Sequence, residues 1–76
     1  MFLDQTEIIA AVWGLTEVTK EMKEKYETGN QREFEASVEK WGEGWPGHLK
    51  TLNVVYKNND NIASVVVVEG DLLELP

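Results

Sequence analysis

Residues 4–28, DQTEIIAAVWGLTEVTKEMKEKYET, decide how the rest of the chain is read. Ile8, Ala11, Val12, Leu15, Val18, Thr19, Met22 and Tyr26 recur at the spacing that gathers side chains on one face of a helix. Asp4 stands three residues before Glu7, the arrangement of a capping box, and Leu3 and Ile8 are placed as a hydrophobic staple. Gly29 follows Thr28, where a helix commonly stops. The spacing predicts one helix from Asp4 to Thr28, with Glu17, Glu21 and Glu24 on its solvent side. Gly14 is the discordant residue. Inside a helix it costs about 1 kcal/mol relative to alanine, and it marks a kink or a close backbone crossing.

Downstream, Asn30 and Glu33 repeat the capping pattern, and Phe34, Val38 and Trp41 share a helical face before Gly42. Residues 42–48 form a Gly- and Pro-rich connector. Leu49 to Lys57 then alternates, with Leu52, Val54 and Tyr56 on one face, and Asn58 to Asn61 reads as a turn. Ile62 to Val68 is almost entirely apolar and rich in β-branched residues, as expected of a central strand. Glu69-Gly70-Asp71 turns again, and Leu72 to Leu75 makes a third strand. The expected architecture is α+β: two N-terminal helices packed on a three-stranded antiparallel β-meander, in the order ααβββ.

The chain has 76 residues and reads as one small acidic domain, residues 1–76. A chain of this size buries only about 60% of the surface that its unfolded form exposes. It has no cysteine and one histidine, so no disulfide or dedicated zinc cage is expected to reinforce it. Added buried surface would have to come from a partner or a second copy. Asp4 interrupts the apolar Met1-Phe2-Leu3 at once and no basic segment precedes it, which is unlike a signal peptide. No apolar run is long enough to span a bilayer, and a cytoplasmic location is the expectation.

Fourteen acidic residues against seven Lys and Arg leave a net charge of -7. Phosphate contacts need cations, so direct binding to nucleic acid or an anionic membrane is disfavoured. A basic protein surface is the natural complement, although charge of this size also serves solubility alone.

Several patterns resemble chemistry and fail on context. Gly42-Glu43-Gly44-Trp45-Pro46-Gly47 matches G-x-G-x-x-G, but it is expected to follow a helix and lead into a strand, the reverse of a dinucleotide fingerprint. His48 lacks an orienting acid and a placed nucleophile, since Ser64 falls within a strand and Glu43 offers at most one pairing. Asn58 to Asn61 has oxygens suited to calcium but neither the length nor the terminal glutamate of an EF-hand loop. No catalytic residue, metal ligand or cofactor is therefore assigned, and an enzyme is not expected.

Candidate partner-binding residues fall into two sets. On the predicted second helix, Glu35, Glu39 and Glu43 form a stripe with little cationic relief, and Glu69, Asp71 and Glu74 form a second acidic cluster. The lysines interleaved with glutamates along the first helix read instead as an ordinary solvated face. The other set is apolar. Trp13 and Ile9 lie i, i+4 off the main stripe, either buried against the sheet or exposed as an aromatic anchor, and Trp45 in the connector has the same ambiguity. In Val65-Val66-Val67-Val68 consecutive side chains point to opposite faces, so both faces of that strand are apolar. Two helices cover only one face of a small sheet, and the other should meet a partner or a second copy.

Two functional expectations follow. One is a non-catalytic inhibitor or adaptor whose acidic clusters steer it to a basic, nucleic-acid-binding groove on a larger protein. In size, charge and lack of chemistry the chain resembles small phage proteins that blunt host defences, including anti-CRISPR and anti-restriction proteins. That resemblance is one of composition and carries no residue roles. The alternative is a self-assembling structural or accessory protein, such as a homodimer sealed along the valine face.

Overall fold

Residues 4–28 do not form one helix. In the computed structural model, which describes residues 6–76, Thr6–Trp13 is a β-strand (β1). Gly14 and Leu15 turn the chain, and Thr16–Glu17 (β2) returns beside β1 with Thr16 opposite Trp13. Gly14 takes φ 62°, which a two-residue hairpin turn requires at its first position and glycine adopts without strain. The helix begins only at Thr19–Lys23 (α1) and runs into a π-helical turn, Glu24–Thr28. Val18, Met22 and Tyr26 are buried along it at the four-residue spacing expected.

A β-bulge explains the helical appearance of the first strand. Where β1 pairs with Thr51–Asn58 (β4), the register slips by one residue between Ile8 and Ala10. Ile9 is thus an extra residue, and the inward side chains fall at Ile8, Ala11 and Trp13. The step of three from Ile8 to Ala11 imitates a helix where an unbroken strand would step by two. The expected Asp4 cap and Leu3 staple lie outside the described residues.

The second predicted helix is also corrected. Asn30 takes φ 56°, a left-handed conformation that does not open a helix. Glu33–Glu35 (β3) is extended, and only Val38–Trp41 (α2) makes a single helical turn. Its N-cap is Ser37, whose Oγ accepts from the Lys40 N–H at 3.3 Å. Phe34 and Trp41 still meet, with ring centroids 6.3 Å apart.

The downstream strands form largely where expected but pair differently. β4 and Asn61–Val68 (β5) make a hairpin across Asn59-Asp60, with Asn59 at φ 59°. Leu72–Glu74 (β6) does not extend that hairpin; it pairs with β3 in a separate two-stranded ribbon. The larger sheet has the order β2-β1-β4-β5 and is antiparallel throughout. The ααβββ meander is therefore replaced by a four-stranded sheet, a two-stranded ribbon and one principal helix. β5, expected at the centre, is an edge strand, because β1 takes the other side of β4.

One face of the larger sheet carries the core. Ile8, Ala11, Trp13, Leu52 and Val54 lie fully buried against Met22, Phe34, Ala36 and Leu73, with Tyr56, Val65 and Val67 at its margin. Trp13 is the largest side chain with no exposure, and its indole N–H donates to the Gly42 carbonyl at 2.7 Å. This bond draws the 42–48 connector over the ring. A Cβ on Gly44 would collide with the Trp13 carbonyl oxygen and would stand 2.8 Å from ring atom Cδ1. Gly44→Ala is expected to destabilise the protein by about 2 kcal/mol through this overpacking, measured by urea unfolding. A change under a few tenths of a kcal/mol would mean that the connector does not rest on Trp13.

Candidate protein-interaction surface

A β-sheet ends in two rims of backbone N–H and C=O groups that its own strands do not pair. Helix α1 and the residues flanking it close the β1 rim. The Ile8 N–H donates to Glu27 Oε2 at 3.2 Å, and the Ile8 carbonyl accepts from Lys23 Nζ at 3.0 Å. Lys23 and Glu27 form an i, i+4 ion pair at 3.1 Å, so one helical pair serves both groups of one strand residue. Farther along, the Ala11 N–H donates to Thr19 Oγ1 at 3.0 Å and its carbonyl accepts from the Val18 N–H at 2.8 Å. β2 covers the end of the strand at Val12 and Trp13.

The β5 rim is open. The two-residue turn at Asn58↔Asn61, with the Glu69 N–H bonded to the Lys50 carbonyl, sets the alternation along the hairpin. Asn61, Ala63, Val65 and Val67 aim their backbone groups at β4, and Ile62, Ser64, Val66 and Val68 aim theirs away. The Val68 carbonyl accepts from the Asp71 N–H at 2.9 Å. Among the described residues, no protein group meets the outward N–H and C=O of Ile62, Ser64 and Val66. The same residues face the uncovered side of the sheet, where Ile62 is 63% and Val66 56% exposed. Beyond β5 this face is mixed, with Val55, Ala10 and Val12 lying among Thr51, Asn53, Lys57 and Glu7.

The acidic residues are regrouped by the ribbon. Glu35, Glu39 and Glu43 do not form a helical stripe, since they lie in β3, in α2 and in the connector respectively. Antiparallel pairing of β3 with β6 instead sets Glu33 directly opposite Glu74 and Glu35 opposite Leu72. Phe34 and Leu73 point into the core, so Glu33, Glu35 and Glu74 share the exposed face. Like charges directly opposite in a sheet oppose pairing. The ion pairs among the described residues join Lys23 to Glu27 and Lys50 to Glu69, and neither reaches this face. Glu33 was not among the candidates because its cross-strand position depends on a pairing that adjacent sequence does not reveal.

Glu69 turns inward instead. Its carboxylate accepts from the Lys50 N–H at 3.1 Å and stands 3.6 Å from Lys50 Nζ. Lys50 is 4% exposed, and its ammonium also donates to the carbonyls of His48 at 2.8 Å and Trp45 at 3.3 Å. Asp71 sits exposed in the turn after β5, its carbonyl accepting from the Ala36 N–H. Trp13 is core and presents no surface to a partner. Ile9, at the bulge, is 44% exposed, so the two residues are not brought together. Trp45 is 39% exposed and stacks on His48 with centroids 4.3 Å apart.

The G-x-G-x-x-G stretch offers no phosphate cradle. Its Gly42 and Gly44 N–H groups are already bonded to the Val38 and Gly42 carbonyls. No group of His, Cys, Asp and Glu side chains among the described residues is arranged to hold a metal ion. No helix among them is long and apolar enough to cross a membrane. No protein-family model, curated protein or solved structure matches the chain.

Lys50 anchors the connector that carries Trp45. Replacing it with methionine keeps the aliphatic stem and removes the bonds to the carbonyls of Trp45 and His48. Lys50→Met is expected to cost about 2 kcal/mol and to speed proteolytic cleavage within residues 42–48. Unchanged cleavage there would show that the connector is held without Lys50.

Proposed function

We propose that the chain is a non-catalytic binding module, a small inhibitor or adaptor that docks on a basic, nucleic-acid-handling surface of a larger protein in the cytoplasm. The observation that supports this reading is the acidic face of the β3–β6 ribbon. Glu33 and Glu74 oppose each other across a two-stranded pairing, Glu35 lies beside them, and no ion pair among the described residues includes them. Such an arrangement disfavours the folded state, and a cationic partner surface would offset it on binding. The net charge of -7 extends the attraction to long range and makes it sensitive to salt. The likeness in size and charge to phage proteins that block host defences supports the same class of partner.

This reading couples stability and binding in opposite directions. Glu74→Lys replaces a like-charge pair with an opposite-charge pair facing Glu33. Thermal unfolding is expected to show a gain of about 0.5 kcal/mol after screening by water and salt. The same substitution, combined with Glu35→Lys, should abolish affinity capture of a basic partner from source-cell lysate that the unaltered chain retains at low salt and releases at high salt. Equal capture by both proteins would rule out the acidic ribbon as the docking face.

A further inference from the structure

We infer that β5 is a pairing strand for a second copy of this chain, joined antiparallel about a two-fold axis at Ser64. The inference stands apart from the acidic ribbon, because the strand involved carries no charge from Asn61 to Val68. Natural sheets usually blunt an exposed edge with lysine, proline, a bulge or a covering element. Here the β1 edge has a bulge and a helix whose Lys23, Glu27 and Thr19 meet its backbone groups. The eight residues of β5 have no such device among the described residues, and they are the most strongly β-forming run of the chain.

The alternation of backbone groups selects the register. Only outward-facing residues pair with outward-facing residues of another strand, in doubly bonded rungs. Ile62, Ser64 and Val66 are the ones with both groups unmet. A two-fold axis at Ser64 sets each Ser64 opposite its copy and each Ile62 opposite the other chain's Val66, giving about six new backbone hydrogen bonds. Moving the axis to Val65 would set Ile62 opposite Val68, whose carbonyl already accepts from the Asp71 N–H, and moving it to Ala63 would set Val66 opposite Asp60 in the turn. With the axis at Ser64 the facing side chains are apolar with apolar and hydroxyl with hydroxyl, and the exposed Ile62 of each chain packs beside the exposed Val66 of the other.

Charge placement favours the antiparallel orientation of the two copies. The acidic ribbon follows the Val68 end of β5. Antiparallel pairing puts the Val68 end of one chain beside the Asp60 end of the other. The two Val68 ends are separated by about 25 Å along the strands, some three screening lengths of about 8 Å at physiological salt. A parallel arrangement would bring the two ribbons together. A basic foreign strand would find no charge on β5 to pair with.

The chain contains no cysteine, so introduced thiols report the register without background. Sedimentation of the full chain over a dilution series is expected to show a dimer that dissociates on dilution. Hydrogen-bonded antiparallel partners stand about 5.5 Å apart at Cα, within disulfide range. Ser64→Cys should therefore cross-link under mild oxidation at least about tenfold faster than Ile62→Cys, whose copies lie four residues apart along the strands. Ser64→Pro removes an outward N–H and spares the β4 ladder, so it should weaken the dimer at least about tenfold with an unchanged circular dichroism spectrum. A monomer at every concentration, or cross-linking equally fast at positions 62 and 64, would overturn the proposal. So would a Ser64→Pro protein that is folded and dimerises as before.

Discussion

Every backbone amide in a sheet needs a partner, and a sheet built from few strands has as much rim as interior. In this protein the two rims are treated oppositely. Along β1, the N–H and C=O of Ile8 and Ala11 are taken by Glu27, Lys23, Thr19 and Val18. This cover fixes α1 and the π-helical turn after it against the strand, and they in turn deliver Met22 and Tyr26 to the core. The Lys23–Glu27 pair is half exposed and weak as an ion pair. Its structural value lies in holding both groups of one strand residue. Along β5 no described residue performs that task, and the side chains of Ile62 and Val66 on the same rim are exposed.

Trp13 and Lys50 organise the opposite end of the sheet. The indole is buried and bonded to the connector at Gly42, while Lys50 lies 5.9 Å from the ring centroid and gathers the carbonyls of Trp45 and His48. A buried ammonium is tolerated because three oxygen partners surround it, Glu69 among them. The consequence for binding is a separation of surfaces. Glu69 is held inside the fold, whereas Glu33, Glu35 and Glu74 stand exposed on the β3–β6 ribbon. The uncharged strand β5 lies apart from them in chemistry.

The readable parts of the sequence were those in which periodicity was unbroken. Leu52, Val54 and Tyr56 alternate, and β4 forms as expected; Val18, Met22 and Tyr26 recur every fourth residue, and they line the helix. Residues 6–17 were illegible because the bulge at Ile9 inserts one residue into a period of two, and the resulting spacing is shared with a helix. Gly14, the one discordant sign, marks a hairpin turn. The acidic site was half legible. Its members were visible as charges, but their grouping depends on the pairing of β3 with β6, residues some forty positions apart. Likewise the four valines signalled an apolar strand with two faces, while its place at the edge followed from β1 taking the other side of β4.

Amide hydrogen exchange followed residue by residue at several protein concentrations tests the unequal rims most directly. The Ile8 and Ala11 amides, bonded to Glu27 and Thr19, should be protected at every concentration. The Ile62, Ser64 and Val66 amides should exchange freely in dilute solution and become protected together as the concentration rises. Free exchange of all three at high concentration would contradict the account, as would protection of them in dilute solution equal to that of Ile8.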